Sequence, residues 1–318
     1  MSFPLLRLPL VASTNVTNSI DIEDYFPLIR TSTRMKNLIK YSRVPIELTV
    51  YGDEHIEFEK LSDPDRTKRV ELFLPPRSTG QNKYVLFEPF IRRKSNYKCE
   101  RNLEGYRKLM DDFVDIFLVK SIDLRMIYVN ISEICVQYLE YALSLGLKIK
   151  SFSVSDQKYC VEDIRKMLFA CAHISSLTVY MSDPPKKSVL DCFQKFAVDT
   201  LELDVTPGCI TLDHLFALVN CSYVNIGEVR FDEADLNKFL KYWLSGTSRL
   251  RTMAIKLTSG YRGGNYLNAQ LVMEGIDGRE IERNKKFEIE RSDGVKTIVS
   301  IYNIAITLGD FDRNFLEY

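Results

Sequence analysis

Apolar and polar positions alternate along much of this chain, and the period of alternation changes several times. Ile46, Leu48 and Val50 are separated by Glu47, Thr49 and Tyr51. A period of two places these sets on opposite faces of a pleated strand, so the segment predicts a half-buried strand. Ile56 with Phe58, and Val70, Leu72 and Leu74, repeat it. Pro75, Pro76 and the run from Arg77 to Asn82 predict a loop, followed by the apolar positions Val85, Phe87 and Phe90. Residues 46–98 therefore read as a short β connector.

The segment before it, residues 1–45, has helical spacing after a proline-rich start. Pro4 and Pro9 bracket Leu5, Leu6 and Leu8, and Val11, Ala12, Val16 and Ile20 follow. A second helix is predicted from about Glu23 to Ile39, with Asp21 as a plausible N-cap and Pro27 as the residue that kinks it or delays its start.

From Ile122 onward a strand-then-helix pattern recurs about every 25 residues, inside the window of leucine-rich-type repeats. Strands are predicted at 124–129, 149–154, 174–180, 201–205, 223–231 and 250–257. Helical patterns fall between them, through Ile134–Leu145, Ile164–Ala172, Leu190–Ala197, Leu212–Val219 and Asp232–Leu244. One strand and one helix cannot bury their own apolar faces, but stacked neighbours can. Each connection is a crossover, which requires parallel pairing. The asparagine ladder of true leucine-rich repeats is absent, so residues 99–260 read as an irregular α/β solenoid. Residues 261–318, with Ser292-Asp293-Gly294 as a hairpin turn, read as a β-rich cap.

Composition narrows the function classes. The 318 residues are 45% hydrophobic, and 43 Lys and Arg balance 43 Asp and Glu. A neutral chain has no general attraction for nucleic acid or anionic lipid. The cluster Arg30, Arg34, Lys36, Lys40 and Arg43 reads as a solvated helix face. No apolar run approaches the ~20 residues of a spanning helix, and the start does not read as a signal peptide. A cytoplasmic or nuclear location is the expectation, with no nucleic-acid or membrane partner. The seven cysteines include no C-x-x-C pair, so buried, reduced core thiols are expected rather than a metal site. The three histidines form no H-E-x-x-H motif, and the glycine run at 260–264 follows a strand and lacks the lysine of a phosphate loop. No cofactor and no catalytic constellation is expected.

Four stretches carry a resemblance. Phe3-Pro4-Leu5-Leu6-Arg7-Leu8-Pro9, with Thr31-Ser32-Thr33-Arg34-Met35-Lys36-Asn37-Leu38-Ile39-Lys40, resembles the F-box as written in the large nematode F-box family. Ile210-Thr211-Leu212-Asp213-His214-Leu215, and Asp235-Leu236-Asn237-Lys238-Phe239-Leu240-Lys241-Tyr242-Trp243, resemble that family's associated domain of the second type. The resemblance implies an F-box over residues 1–45 that docks on the Skp-type adaptor of a cullin–RING ubiquitin ligase. It also implies that the rest binds a protein substrate, with no chemistry of its own. It carries over Pro4, Leu5, Leu8, Pro9, Ile20 and Leu28 as adaptor contacts. The first helix departs from the family, with Thr, Ser and Asn where better helix formers stand.

Strand alternation supplies the substrate surface. If the apolar members of each repeat strand point to the helices, then Tyr128, Ser153, Thr178, Asp204, Asn225 and Ala254 point away, flanked by Tyr180, Glu202, Tyr223 and Lys256. Tyrosine is favoured at interface hot spots, so Tyr128 and Tyr180 are candidate anchors. A merely solvated sheet face is the open alternative. A solenoid scaffold whose F-box no longer binds the ligase is the alternative function, and an enzyme with a dispersed site is a third.

Overall fold

The computed structural model describes residues 9–51, 55–61, 69–73, 84–87, 96–97, 103–127, 132–156, 166, 169–171, 174–181, 197–205, 208, 210–258 and 267–309. The fold is mixed α/β. It divides into two compact units, Met1–Val129 with Glu133–Ser151, and Asn130–Ser132 with Phe152–Tyr318.

The first unit begins with α1 (Leu10–Ser19), a 3-10 turn (Ile22–Asp24), α2 (Tyr25–Thr31) and α3 (Thr33–Ser42). The single helix expected from Glu23 to Ile39 is thus two, and the break falls at Ser32 rather than at Pro27. Pro27 sits in the first turn of α2, where its missing N–H would have had no intrahelical partner. Ser32 is extended, and its hydroxyl accepts the Met35 N–H at 3.1 Å, capping α3. Among the described side chains of α1 the buried ones are polar: Ser13 and Thr17, whose hydroxyl donates to the Ser13 carbonyl at 2.8 Å. Lys60 is buried and donates to the carbonyls of Asn18 and Ile20, satisfying the C-terminal end of α1.

Strands β1 (Pro45–Tyr51), β2 (His55–Lys60), β3 (Arg69–Phe73), β4 (Tyr84–Phe87) and β5 (Asn96–Tyr97) pair antiparallel in sequence order. On its other edge β1 pairs parallel with β6 (Leu118–Ile127). Parallel pairing demands a crossover, and α4 (Leu103–Ile116) lies within it. The expectation of strands and loops from Ile46 to Ile122 includes no helix here, so α4 is an addition to the predicted elements. Tyr106, Leu109, Met110 and Phe113 stand at helical spacing and are all buried. Phe113 meets Phe58 edge-on at 5.2 Å and Phe117 at 5.9 Å, and Tyr25 meets Phe117 at 5.7 Å, so one aromatic cluster joins α2, β2 and α4. Each such ring contributes roughly 2–3 kcal/mol of burial. Helix α5 (Ser132–Ser144) stacks Tyr138 on Tyr106 at 4.1 Å. The division between units falls inside β7 (Ile149–Asp156).

In the second unit β8 (Ser176–Met181), β9 (Thr200–Val205), β10 (Tyr223–Val229) and β11 (Thr252–Leu257) are mutually parallel. Helix α6 (Leu212–Ala217), continued by a 3-10 turn, connects β9 to β10, and α7 (Glu233–Ser245) connects β10 to β11. A short helix α8 (Ala269–Val272) follows. Then β12 (Gly278–Glu282), β13 (Lys286–Glu290), β14 (Lys296–Ile301) and β15 (Ala305–Leu308) pair antiparallel, and β15 adds antiparallel to β11. Ser292, Asp293 and Gly294 make the β13–β14 turn, and the C-terminal part is β-rich as its alternation predicts.

One row of side chains per parallel strand forms the core. Leu177, Val179, Leu201, Leu203, Val224, Ile226, Met253 and Ile255 are each 2% exposed or less. Leu236, Phe239 and Leu240 of α7 border the same void as Met253 and Ile255, and that void is only about 10 Å3. Asp232 caps α7, accepting the Asp235 N–H at 2.9 Å while the Asp235 carboxylate accepts the Asp232 N–H, so this acid pair does helix-terminal work. Trp243 is buried and donates its indole N–H to the Leu250 carbonyl at 3.2 Å, the core anchor of α7.

Candidate functional site

The sheet face of the second unit turned away from that core is built by strand register. Thr178, Glu202, Asn225 and Ala254 lie side by side across β8 to β11, and Tyr180 lies beside Asp204. At ~4.8 Å between strands and ~3.3 Å per residue, the face from β8 to β10 is about 10 Å wide and about 13 Å long. Burial follows the predicted alternation on β9, with Glu202 half-buried and Asp204 exposed between Leu201, Leu203 and their neighbours, but Thr178 on β8, expected to point outward, is buried at 9% exposure, beside the Glu202 carboxylate to which its hydroxyl donates. Tyr180 is 39% exposed, while Tyr223 and Asn225 are half-buried.

Ala254 departs from the expectation and is fully buried. Its strand gained a second partner: β15 places Thr307 beside Ala254 on one side, and Asn225 lies on the other, so a single methyl group is shielded by larger neighbours. The open part of the face therefore ends at β10.

Within that part the Thr178 hydroxyl donates to the Glu202 carboxylate at 3.3 Å. Asp204 lies across the bare backbone of Gly227, where an added β-carbon would come within 2.7 Å of its carboxylate oxygen and 3.2 Å of its Cα. The amide oxygen of Asn225 is buried and has no hydrogen-bond partner among the described residues. Burial first, and then the Glu202 and Asp204 carboxylates, push the Tyr180 hydroxyl above the ordinary phenol range, and burial with Glu202 does the same to Tyr223. Both phenols therefore stay protonated at neutral pH and keep an O–H available to donate. The surface offers carboxylates, a vacant amide oxygen and two tyrosine rings, a set suited to a partner rich in N–H donors and positive charge.

Ser153 is half-buried on β7. Tyr128, which the sequence singled out as an anchor, lies outside the described residues, as do Pro4, Leu5 and Leu8 of the adaptor set. Pro9 is exposed and immediately precedes α1, while Ile20 is half-buried at the other end of that helix, ~16 Å away at 1.5 Å per residue. Leu28 is half-buried on α2. One pocket of side-chain size cannot hold both Pro9 and Ile20.

No group of three or more His, Cys, Asp or Glu side chains among the described residues could hold a metal ion. His214 accepts the Thr211 N–H at 3.0 Å and belongs to the cap of α6. Cys171 and Cys221 are free and buried, and burial raises both thiols, that of Cys221 to about 11. No described helix is long and apolar enough to cross a membrane.

Comparison with known proteins places a match on this unit. Residues 192–255 fit the family model described as "F-box associated". The matched stretch carries β9, α6, β10 and α7, and so supplies Glu202, Asp204, Tyr223 and Asn225 of the face. Along the whole chain the sequence is similar to a Caenorhabditis elegans protein, "Skn-1 dependent zygotic transcript 15 protein". It is 22% identical over 331 residues, covering 94% of each chain. The second unit of this chain thus contains a segment similar to F-box associated domains.

Proposed function

We propose that this protein is a non-catalytic substrate receptor of a cullin–RING ubiquitin ligase, acting in the cytoplasm or nucleus. In this reading residues 1–45 form a divergent F-box that docks on a Skp-type adaptor through the Pro4–Pro9 arm, with Ile20 and Leu28 behind it. The parallel strands and their helices form a leucine-rich-repeat-like α/β solenoid, whose outward face of Thr178, Tyr180, Asp204 and Asn225 holds a protein substrate. The observation that carries the reading is the F-box associated match over residues 192–255. The N-terminal motif, and three short helices following it, agree with it.

The test is co-purification of the full chain with a Skp-type adaptor, and ubiquitin transfer to captured proteins in the assembled ligase. Absence of both would remove the reading. One observation favours a second reading, a scaffold without ligase contact: α1 turns Ser13 and Thr17 inward where an adaptor-binding helix would be stiffened by apolar residues. Substrate capture without adaptor binding would select it.

A further inference from the structure

Three arginines converge at the start of β11. A cleft of about 350 Å3 is lined by Ser222, Ser248, Arg249, Leu250, Arg251, Arg291 and Val295. That volume lies in the range of small-ligand sites, roughly 300–1,000 Å3. Among the described residues its lining includes three arginines and no acidic residue. The β13–β14 turn brings Arg291 back to residues 248–251, through the Ser292 N–H to the Leu244 carbonyl at 3.0 Å and the Arg291 guanidinium to the Ser248 carbonyl at 2.8 Å.

Two of the arginines are held in place before any ligand arrives. Arg291 is 6% exposed, is gripped by both oxygens of Asp293 at 2.8 and 2.7 Å, and lies 5.0 Å from the Trp243 ring centre. These contacts use one N–H on each of its terminal nitrogens, and a guanidinium has a second on each. Arg249 donates to Asp199 at 2.9 Å, to the Ala197 carbonyl at 3.2 Å and to the Ser222 hydroxyl at 3.4 Å, and among the described residues its Nε–H has no acceptor. Arg251 is exposed, and its guanidinium has no partner among the described residues. Its backbone is nonetheless fixed: its N–H donates to the Ser222 carbonyl at 2.9 Å, and Gly309 (φ +82) packs so tightly that an added β-carbon would stand 2.5 Å from the Arg251 carbonyl oxygen.

Asp199 and Asp293 balance Arg249 and Arg291, so among the described residues Arg251 is the arginine of the cleft without an acidic partner. Leu250 and Val295, the latter 40% exposed, give the cleft an apolar side. Planar forks of fixed orientation match an oxyanion with several acceptor oxygens better than they match a point charge. A carboxylate has two oxygens and one charge. A phosphate monoester has three and nearly two charges at neutral pH, enough to bridge Arg251 to the pre-set Arg291 and Arg249.

We propose that this cleft binds a phosphate monoester, with Arg251 as its primary cation and Arg249 and Arg291 as pre-oriented donors. A phosphorylated serine or threonine of a partner protein and a free phosphate would present the same group. Assigning it to a protein rests on the receptor reading above, whereas the site itself does not.

The chain contains one tryptophan, and it carries Arg291 on its face, so Trp243 emission reports on the cleft. The full chain is titrated with inorganic phosphate at constant ionic strength, against sodium chloride, with calorimetry on the same samples to catch a spectroscopically silent complex. Saturable binding with a Kd on the order of 1 mM is expected, weakened at least about tenfold in Arg251→Ala and partly kept in Arg251→Lys. Far-UV circular dichroism should show each variant folded, since the Arg251 side chain is exposed and bonds to no other described residue. A response equal to that of chloride, silence in both measurements, or unchanged binding by Arg251→Ala overturns the site. A phosphoserine peptide and its unphosphorylated twin form the second arm. Tighter binding of the phosphopeptide than of phosphate assigns the group to a protein. Equal binding overturns that assignment and leaves a free-phosphate site. Neither arm uses the adaptor, so failure of the receptor reading and failure of the cleft are read separately.

Discussion

Replacing Trp243 by Phe should destabilise the second unit by about 3 kcal/mol, and the sum can be followed contact by contact. The indole is 1% exposed and its N–H is given to the Leu250 carbonyl at 3.2 Å. Phe keeps a ring but loses that donor, leaving a buried carbonyl unpaired at a cost of about 1–3 kcal/mol. The Arg291 guanidinium at 5.0 Å would face a weaker ring, a loss of about 0.5–1 kcal/mol. The space of the missing pyrrole adds a cavity term at roughly 24 cal/mol per Å3, close to another 1 kcal/mol if neighbours do not collapse. The assay is urea unfolding followed by far-UV circular dichroism, because the variant lacks its fluorophore. A loss below about 1 kcal/mol would refute the assignment of Trp243 as the anchor joining α7, the start of β11 and the β13–β14 turn.

Asp232→Ala should cost about 1 kcal/mol by removing the N-cap of α7, read as a lower urea midpoint with unchanged slope. Cys221, whose thiol is pushed up to about 11, should alkylate at pH 8 more than ~100-fold slower than a free cysteine in the same solution, by peptide mass mapping. Reactivity equal to the free thiol would contradict its burial. The double change Tyr180→Ala with Asp204→Ala, at neighbouring register positions, should abolish substrate capture while adaptor binding persists; full retention of every captured protein would move the binding surface elsewhere. Glu202→Gln should lower the Tyr180 and Tyr223 pKa values toward the ordinary phenol range, because the carboxylate now opposes phenolate formation. Resonances of labelled tyrosines would follow the shift.

The parts of this fold that were legible in the sequence are those where one side of an element is buried. Strands β1, β9 and β10 alternate cleanly because one face packs and the other is wet, and the Asp232 and Asp235 spacing announced the start of α7. Helix α4 carries a readable signal in Tyr106, Leu109, Met110 and Phe113, but the charged pair Asp111-Asp112 interrupts its apolar pattern. The break at Ser32 lost to the more conspicuous Pro27, although Ser followed by a helical run is a cap signal in its own right. Ala254 could not be placed by alternation, because its burial depends on β15, a strand that arrives about fifty residues later with the opposite direction. The arginine cleft was hidden for the same reason. Arg249 and Arg251 sit before β11 and Arg291 sits in a turn, and only the pairing of β11, β15, β14 and β13 brings them to one place.

The central claim is that the N-terminal segment of this chain couples a substrate-binding unit to a ubiquitin ligase. The most direct measurement is binding of the purified full chain to a Skp-type adaptor, with Leu5→Asp and Leu8→Asp as paired variants. The account predicts a stable complex with the unchanged chain. Each variant should lose most binding, since seating an unpaired carboxylate in an apolar groove costs several kcal/mol against a micromolar contact worth about 8. Circular dichroism should show the variants folded. No complex with the unchanged chain, or equal binding by both variants, would contradict it.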